Sequence, residues 1–372
     1  MEIREIVFED RRDVANFVQV PFEIYRDCKF WTPPLIASVR IALNRRRHPF
    51  YSHSDAAFFL AEQDGAVVGR IAVLENCHYN NHNKSRAAFF YYFDVVDDLE
   101  VVNALIAAAR GWARERGLTC LMGPKGMLRA DAYGILVEGF DRRAGMGIPY
   151  NYPYYAPLLE AIGFKKEIDY VSGYATAKQQ IPDRLFQLVE RIKTRRSFWV
   201  KSFTSKGELR AWIPRIQQVN NEAFTEVWGY YPIDEAEVQM IGKQLLTVSD
   251  PRLLKVVMKG EDIAGFAFVF PDVATTLRAI QGRLWPFGWL RLLIAAGRTR
   301  HLLGNGIGLL PQYQGLGASA MLYAALHDTI RRRGADHLEI VQVMETNLKS
   351  LGDMNMLGIN WHKRHRVYRL EI

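Results

Sequence analysis

The sequence predicts an α/β protein with a mixed α+β sheet, built from two copies of one folding unit in tandem. Three observations predict it. A glycine-marked pair of strands occurs twice, each pair is followed by a helix that stops at a glycine, and each helix is followed by a short apolar strand. The chain has 372 residues, which suits two domains at roughly 150 residues each.

The elements can be justified in chain order. Glu2-Ile3-Arg4-Glu5 alternates like an edge strand and lacks the basic start and apolar core of a secretory leader. Residues 56–62 and 66–75 read as strands joined at Asp64-Gly65, with Gly69 early in the second. Residues 253–258 and 263–270 repeat the pattern around Lys259-Gly260, and Gly265 takes the place of Gly69. A helix over 103–116 ends at Gly117 and another over 320–333 ends at Gly334, each with a basic last turn that suits the helix C-terminus. Aligned on those glycines, the helices match at Leu105/Leu322, Ala107/Ala324 and Arg114/Arg331. Apolar strands over 118–122 and 337–343 follow. The expected domains are therefore 1–180 and 181–372, with the linker near Lys178 to Ile181 or just after Lys193-Thr194-Arg195-Arg196.

Composition narrows the class. Hydrophobic residues make up 49% and charged residues 24%, which excludes long disorder and fits a well-cored soluble protein. Cys28, Cys77 and Cys120 are scattered without C-x-x-C spacing, so neither a disulfide framework nor a cysteine zinc site is expected, and a cytoplasmic setting fits best. No run of eighteen apolar residues is present, which argues against a spanning helix. His78 and His82 have the i,i+4 spacing of a helical metal pair, but Asn80-Asn81 disfavours a helix there and no carboxylate or cysteine completes the set. A polar loop and no metal are expected. The net charge of +8 suits nucleic acid, an anionic membrane or a polyanionic small ligand. Arg45-Arg46-Arg47 and Arg331-Arg332-Arg333 come without a recognition motif, so no nucleic-acid partner is expected.

The copies differ in length. Gly69 to Gly117 spans 48 positions and Gly265 to Gly334 spans 69, which places an insertion in the second copy at about 273–301. It carries Leu284-Trp285-Pro286-Phe287-Gly288-Trp289-Leu290 and Leu292-Leu293-Ile294-Ala295-Ala296. Its charges are Arg278, Arg283, Arg291, Arg298 and Arg300, with no acid after Asp272. Pro286 and Gly288 favour two short helices over one. Such a stretch, from Leu284 to Ala296, can lie in a membrane interface, wall a tunnel for an acyl chain, or pack as an ordinary helical hairpin.

The strongest local motif runs from Leu309 through Leu310-Pro311-Gln312-Tyr313-Gln314-Gly315-Leu316-Gly317-Ala318-Ser319, between an apolar strand and a helix. Glycines there let the backbone turn sharply, and the unpaired N–H groups of the first helical turn can hold a phosphate. Gln314-x-x-Gly317-x-Ser319 resembles the Q/R-x-x-G-x-G/A signature of the GNAT acyltransferase superfamily, with Ser319 where Gly or Ala is usual. Gly123-Pro124, Val137-Glu138-Gly139-Phe140-Asp141 and Tyr152-Pro153-Tyr154-Tyr155 also resemble stretches of bacterial tandem GNAT-like proteins, among them bacterial ceramide synthases.

The resemblance implies that Leu309, Leu310, Gln314, Gly315, Gly317, Ala318 and Ser319 bind the pyrophosphate side of acyl-coenzyme A, and that Asn347 holds the thioester arm unless it caps the next helix. Glu339, or Glu345, would take the proton of the attacking amine, unless each is a plain surface carboxylate. The tyrosine that usually protonates the departing thiolate is here Met354. Tyr230, Tyr231 and Tyr313 could substitute or simply pack. His362 and His365 lie in a basic strand expected to be solvated. N–H groups of residues 307–309 would polarise the thioester if the strands splay. Replacing Gly317 with a bulky acid is expected to remove coenzyme binding and leave the fold intact.

In the first copy the corresponding turn is Asp94-Val95-Val96-Asp97-Asp98-Leu99-Glu100, without glycine and with four acids that would repel a pyrophosphate. The expected function is acyl-CoA-dependent N-acylation of an amine, with a hydrophobic acceptor or acyl chain such as a lipid amine or sphingoid base. The expected place is the cytoplasm, with contact at the inner membrane face through the insertion. A non-catalytic acyl-CoA or lipid-binding protein is the alternative.

Overall fold

The computed structural model describes residues 1–176, 179 and 181–372, without the side chains of Arg196, Gln244, Leu245 and Val248. The linker position expected at Lys178 lies outside the described residues. The chain forms two compact units. The first comprises residues 1–171, 274–289 and 363–372, and the second residues 172–273 and 290–362. These differ from a single division after 180, because most of the chain's last strand, from Lys363 on, and the first half of the insertion belong to the first unit.

The first unit contains β1 (Glu2–Glu5), α1 (Arg11–Ile24), α2 (Ile36–Ala42), β2 (Asp55–Gln63), β3 (Ala66–Glu75), α3 (Cys77–Asn83), β4 (Ala87–Val95), α4 (Leu99–Glu115), β5 (Cys120–Gly123), β6 (Ile135–Glu138), α5 (Tyr155–Ala161) and the start of β7 (Lys165–Thr176). The second contains α6 (Asp183–Arg196), β8 (Phe198–Ser202), α7 (Lys206–Ala223), α8 (Glu235–Val248), β9 (Leu254–Lys259) and β10 (Asp262–Pro271). The insertion forms α9 (Ala274–Ala279) and α10 (Gly288–Arg298), two short helices as the proline and glycine imply. Then come β11 (His301–Leu309), α11 (Ala318–Arg333), β12 (His337–Met344), α12 (Leu348–Met356) and β13 (Asn360–Glu371).

Strand order is β1-β2-β3-β4-β5-β13 in the first unit and β12-β11-β10-β9-β8 in the second. β1 is an edge strand, as its alternation suggests. The two units repeat each other down to their irregularities. Beside Gly69 the β2–β3 register slips by one, and beside Gly265 the β9–β10 register does the same. A second slip separates Arg70 from Ala72 against β4, and Ala267 from Val269 against β11. An extra residue must leave the ladder at each such place. Positive φ marks both, at Tyr92 in β4 and Gly306 in β11. α4 and α11 both end at a left-handed glycine, Gly117 and Gly334. Two chance α/β segments would not share two bulges in register, so the repeat is a repeat of structure.

Three local expectations are corrected. Cys77–Asn83 is a helix, because the Asn76 side chain accepts the Tyr79 N–H and caps it, and Asn80 turns inward to bond Ala87. His78 stacks on His53, ring centroids 3.6 Å apart. The other expected linker position, just after residues 193–196, holds only Ser197 between the end of α6 and the start of β8. The basic strand β13 is not solvated: His365 is fully buried, with Nε2 3.1 Å from the Pro149 carbonyl, and Lys363 donates to the Arg143 carbonyl.

The buried Asp169 carboxylate ties the end of the chain into the first unit. It receives Arg366 Nε at 2.9 Å and Nη2 at 3.1 Å, with Lys166 Nζ at 3.2 Å. Burial alone would raise this carboxyl, but the Arg366 and Lys166 hydrogen bonds outweigh it and hold it below the usual range. A depressed carboxylate contributes stability that is present above its unfolded value of about 3.9 and is lost as pH falls through the lower folded value. Asp169→Asn is therefore expected to cost about 2 kcal/mol at pH 7. Urea unfolding should show that deficit shrinking below about pH 4.

Candidate active site

The loop between β11 and α11 is built to expose backbone donors. Leu310 leads into a single turn over Pro311–Tyr313, Gly315 has φ +72°, and Gly317 stands at the N-cap of α11 with φ +87°. Glycine brings no oxygen to the cap, so the first-turn N–H groups of Ala318, Ser319 and Ala320 have no side-chain partner. At the equivalent place in the first unit, Asp98 accepts the Glu100 N–H at 2.8 Å and closes its own helix end. Gln314 is anchored on both sides, its Nε2 donating to the Leu309 carbonyl and its Oε1 accepting from Lys349 Nζ at 2.9 Å.

An open groove of about 390 Å³ lies at this helix end, lined among others by Arg184, Arg191, Gly317, Ser319, Tyr323 and Asp353. Sequence reasoning missed the two arginines. They sit seven residues apart on α6, on the stripe beside Leu185, Val189 and Ile192, which are buried against the core. The spacing was legible, but the packing of α6 against α11 was not. Tyr323 donates to Asp353 at 3.0 Å across the groove, and burial together with that carboxylate pushes its phenol well up. Arg184→Glu with Arg191→Glu should lower affinity for coenzyme A about tenfold and flatten its salt dependence, as read by titration calorimetry.

Gly317 serves packing as well as the turn. A Cβ there would lie 2.2 Å from Ile192 Cδ1. Substitution by a bulky acid would thus strain a left-handed backbone and oblige the Ile192 side chain to move, so such a change would probe packing as well as coenzyme binding.

Beyond the loop the parallel pair opens. β11 and β12 are in register from His301/His337 only to Gly304/Ile340 and then diverge. Leu310 N donates to the Ala264 carbonyl of β10 at 3.0 Å. Antiparallel ladders alternate, so the N–H groups of Leu309 and Ile307 point away from β10 into the opening. The α7 side of the opening is apolar. Phe224 and Ala223 pack where Gly308 lacks a side chain, Phe224 and Phe266 lie 6.1 Å apart, and the Trp228 N–H meets Met344 Sδ at 3.4 Å. The arrangement offers an anion seat, a backbone-lined slot and an apolar wall.

No family model matches the chain. A solved tandem GNAT protein from the clavulanic acid biosynthesis pathway superposes with a TM-score of 0.57 at 13% identity, covering 100% of this chain and 98% of that one. This chain has the tandem GNAT fold. Two curated proteins are similar along nearly their whole length. Protein YghO of Escherichia coli (strain K12) is 26% identical over 376 residues, 98% of this chain and 94% of that protein. Bacterial ceramide synthase of Caulobacter vibrioides (strain NA1000 / CB15N) is 26% identical over 363 residues, 96% and 94% respectively.

The two GNAT units differ where it matters. In the first, Val96 N donates to the Val68 carbonyl as Leu310 does to Ala264, so Val95 corresponds to Leu309. The Val95 N–H is taken by the Tyr155 hydroxyl at 3.0 Å, and the Val95 carbonyl by the Tyr154 hydroxyl at 2.8 Å. Tyr155 is itself held by Tyr25 at 2.8 Å. Tyr152-Pro153-Tyr154-Tyr155 thus fills, with the first unit's own side chains, the slot that the second GNAT unit leaves open.

The remaining expected residues are placed as follows. Glu339 is buried, not superficial, and lies 3.5 Å from His362 Nε2 beside the Tyr174 ring, at the closed end of the pair. Asn347 caps α12, its Oδ1 accepting the Ser350 N–H at 3.1 Å. Met354 is buried in the core, so the usual tyrosine position carries no proton donor. Tyr230 and Tyr231 are held by the Asn221 carbonyl and Glu237, and Tyr313 packs edge-on against Phe198. Of the arginine runs, Arg45 pairs with Asp55 and Arg333 with Asp250.

Proposed function

We propose that the second GNAT unit is an acyl-CoA-dependent N-acyltransferase acting on an amine, and that the acceptor or acyl chain is hydrophobic, with a lipid amine or sphingoid base as the substrate class. The observation that carries this reading is the open N–H pair of Ile307 and Leu309 directly beside the uncapped start of α11. In this reading the amides of residues 315–320 and Arg184 and Arg191 hold the pyrophosphate, while Gln314 braces the loop. The pantetheine arm runs along β11, and the Ile307 N–H polarises the thioester carbonyl.

The amine nitrogen attacks that carbonyl, the C–S bond breaks, and the amine proton passes to a carboxylate of β12 or of the turn that follows it. The thiolate takes its proton from water, since Met354 supplies none. Of the two carboxylates, Glu339 pairs at the level of Leu303, about 13 Å along the strand from Ile307. Glu345, in the turn just after β12, follows Ile340 by five residues, as Leu309 follows Gly304, and we take it as the base.

Phe224, Trp228 and Met344 on the wall, and the similarity to a protein named bacterial ceramide synthase, support a hydrophobic substrate. The test is release of free thiol from acyl-CoAs of graded chain length with a panel of amines that includes long-chain bases. Amine-dependent release, largest with the apolar amines, supports the reading. Coenzyme binding with no release for any amine favours a non-catalytic acyl-CoA-binding protein.

A further inference from the structure

The insertion leaves a large apolar surface that no described residue covers. Trp285 is 84% exposed and Phe287 68%, followed by Trp289, Leu290, Leu293 and Ile294 at 43–48%. These six side chains fall within ten consecutive positions, so the chain itself keeps them adjacent. Such a concentration is far from the scattered exposed leucine that any surface carries.

α10 has three distinct sides. At 100° per residue, Trp289, Leu290, Leu293 and Ile294 share one face with Gly297. Leu292 is buried on another side, next to the half-buried Ala295 and Ala296. Arg333 Nη2 donates to the Ala296 carbonyl at 2.5 Å, which fixes the end of the helix. Arg291 and Arg298, both exposed and seven residues apart, line the far edge of the apolar face. Arg283 is exposed just before the Trp285–Phe287 turn, and no acid occurs from Val273 to Arg300.

We propose that α10 and the Trp285–Phe287 turn form an interfacial anchor that lies in the surface of an anionic lipid bilayer. The occupant follows from the chemistry of the face. Tryptophan and phenylalanine favour the headgroup boundary, the leucines and isoleucine reach into the acyl region, and flanking guanidinium groups meet lipid phosphates. A second copy docked on the same patch would bring identical arginines against one another with no acid to offset them. Among the described residues no helix is long and apolar enough to cross a membrane, so the anchor is read as lying along the surface. The inference uses no residue of the α11 site and stands apart from the acyl-transfer reading.

The test is flotation of the full chain with phosphatidylglycerol-containing vesicles and with neutral phosphatidylcholine vesicles. Two variants carry it: Trp285→Ser/Trp289→Glu/Leu293→Glu, which changes exposed side chains alone, and Arg291→Glu/Arg298→Glu. Circular dichroism and an unchanged coenzyme A affinity serve as controls for the fold. The chain is expected to float with anionic vesicles, each variant to lose partitioning roughly tenfold, and added salt to weaken the wild type more than the arginine variant. Failure to bind anionic vesicles, equal binding by the apolar triple variant, or a stable dimer that this variant dissociates would each overturn the proposal.

Discussion

Ser319→Glu is expected to lower coenzyme A affinity about 100-fold while leaving the melting temperature unchanged or slightly raised. The two effects have opposite signs for one physical reason. Ser319 occupies the first turn of α11, where the N–H groups and the helix dipole favour negative charge. A carboxylate fixed there stabilises the helix by roughly 0.3–1 kcal/mol. The same charge occupies the seat a pyrophosphate would take and repels it, which is what Asp98 does at the start of α4. Calorimetric titration with coenzyme A and a thermal melt on the same sample read both numbers. A loss of affinity accompanied by a lower melting temperature would point to damage and not to competition.

Glu345→Gln should reduce kcat for amine acylation by about 10²–10⁴ near neutral pH, with little change in the KM for acyl-CoA. The loss should shrink at alkaline pH, where more of the free amine is already neutral. Glu339→Gln should have a smaller effect on turnover, because that carboxylate is engaged with His362 at the closed end of the strand pair. Steady-state rates of thiol release for the two variants decide between them. A larger loss from Glu339→Gln would move the chemistry down the strand and require Glu339 to act through His362 or water.

Much of this was legible in the sequence where the signal is local. Asp64-Gly65, Gly117 and Gly334 mark turns and helix ends that only a left-handed backbone can make, and all adopt positive φ. The glycines before Ser319 announced an uncapped helix start, and Pro286 and Gly288 divided the insertion as expected. What escaped notice depends on contacts made far along the chain. The covering of α11 by α6 brings Arg184 and Arg191 to the groove and puts Ile192 against Gly317. The last strand belongs with the first unit because Asp169 waits there for Arg366. His365 and Lys363 read as solvated charges, yet each meets a backbone carbonyl more than two hundred residues away. Tyr152-Pro153-Tyr154-Tyr155 stands out in the sequence only by resemblance, and it takes the pairing of β3 with β4 to show which amide Tyr155 occupies.

The central claim is that one GNAT unit binds the coenzyme and the other has filled its own slot. Amide hydrogen exchange, measured with and without saturating coenzyme A, tests it most directly. The account predicts new protection over residues 315–321 and at Ile307 and Leu309, with no change over residues 95–102. Protection at the start of α4, or none at the start of α11, would contradict it.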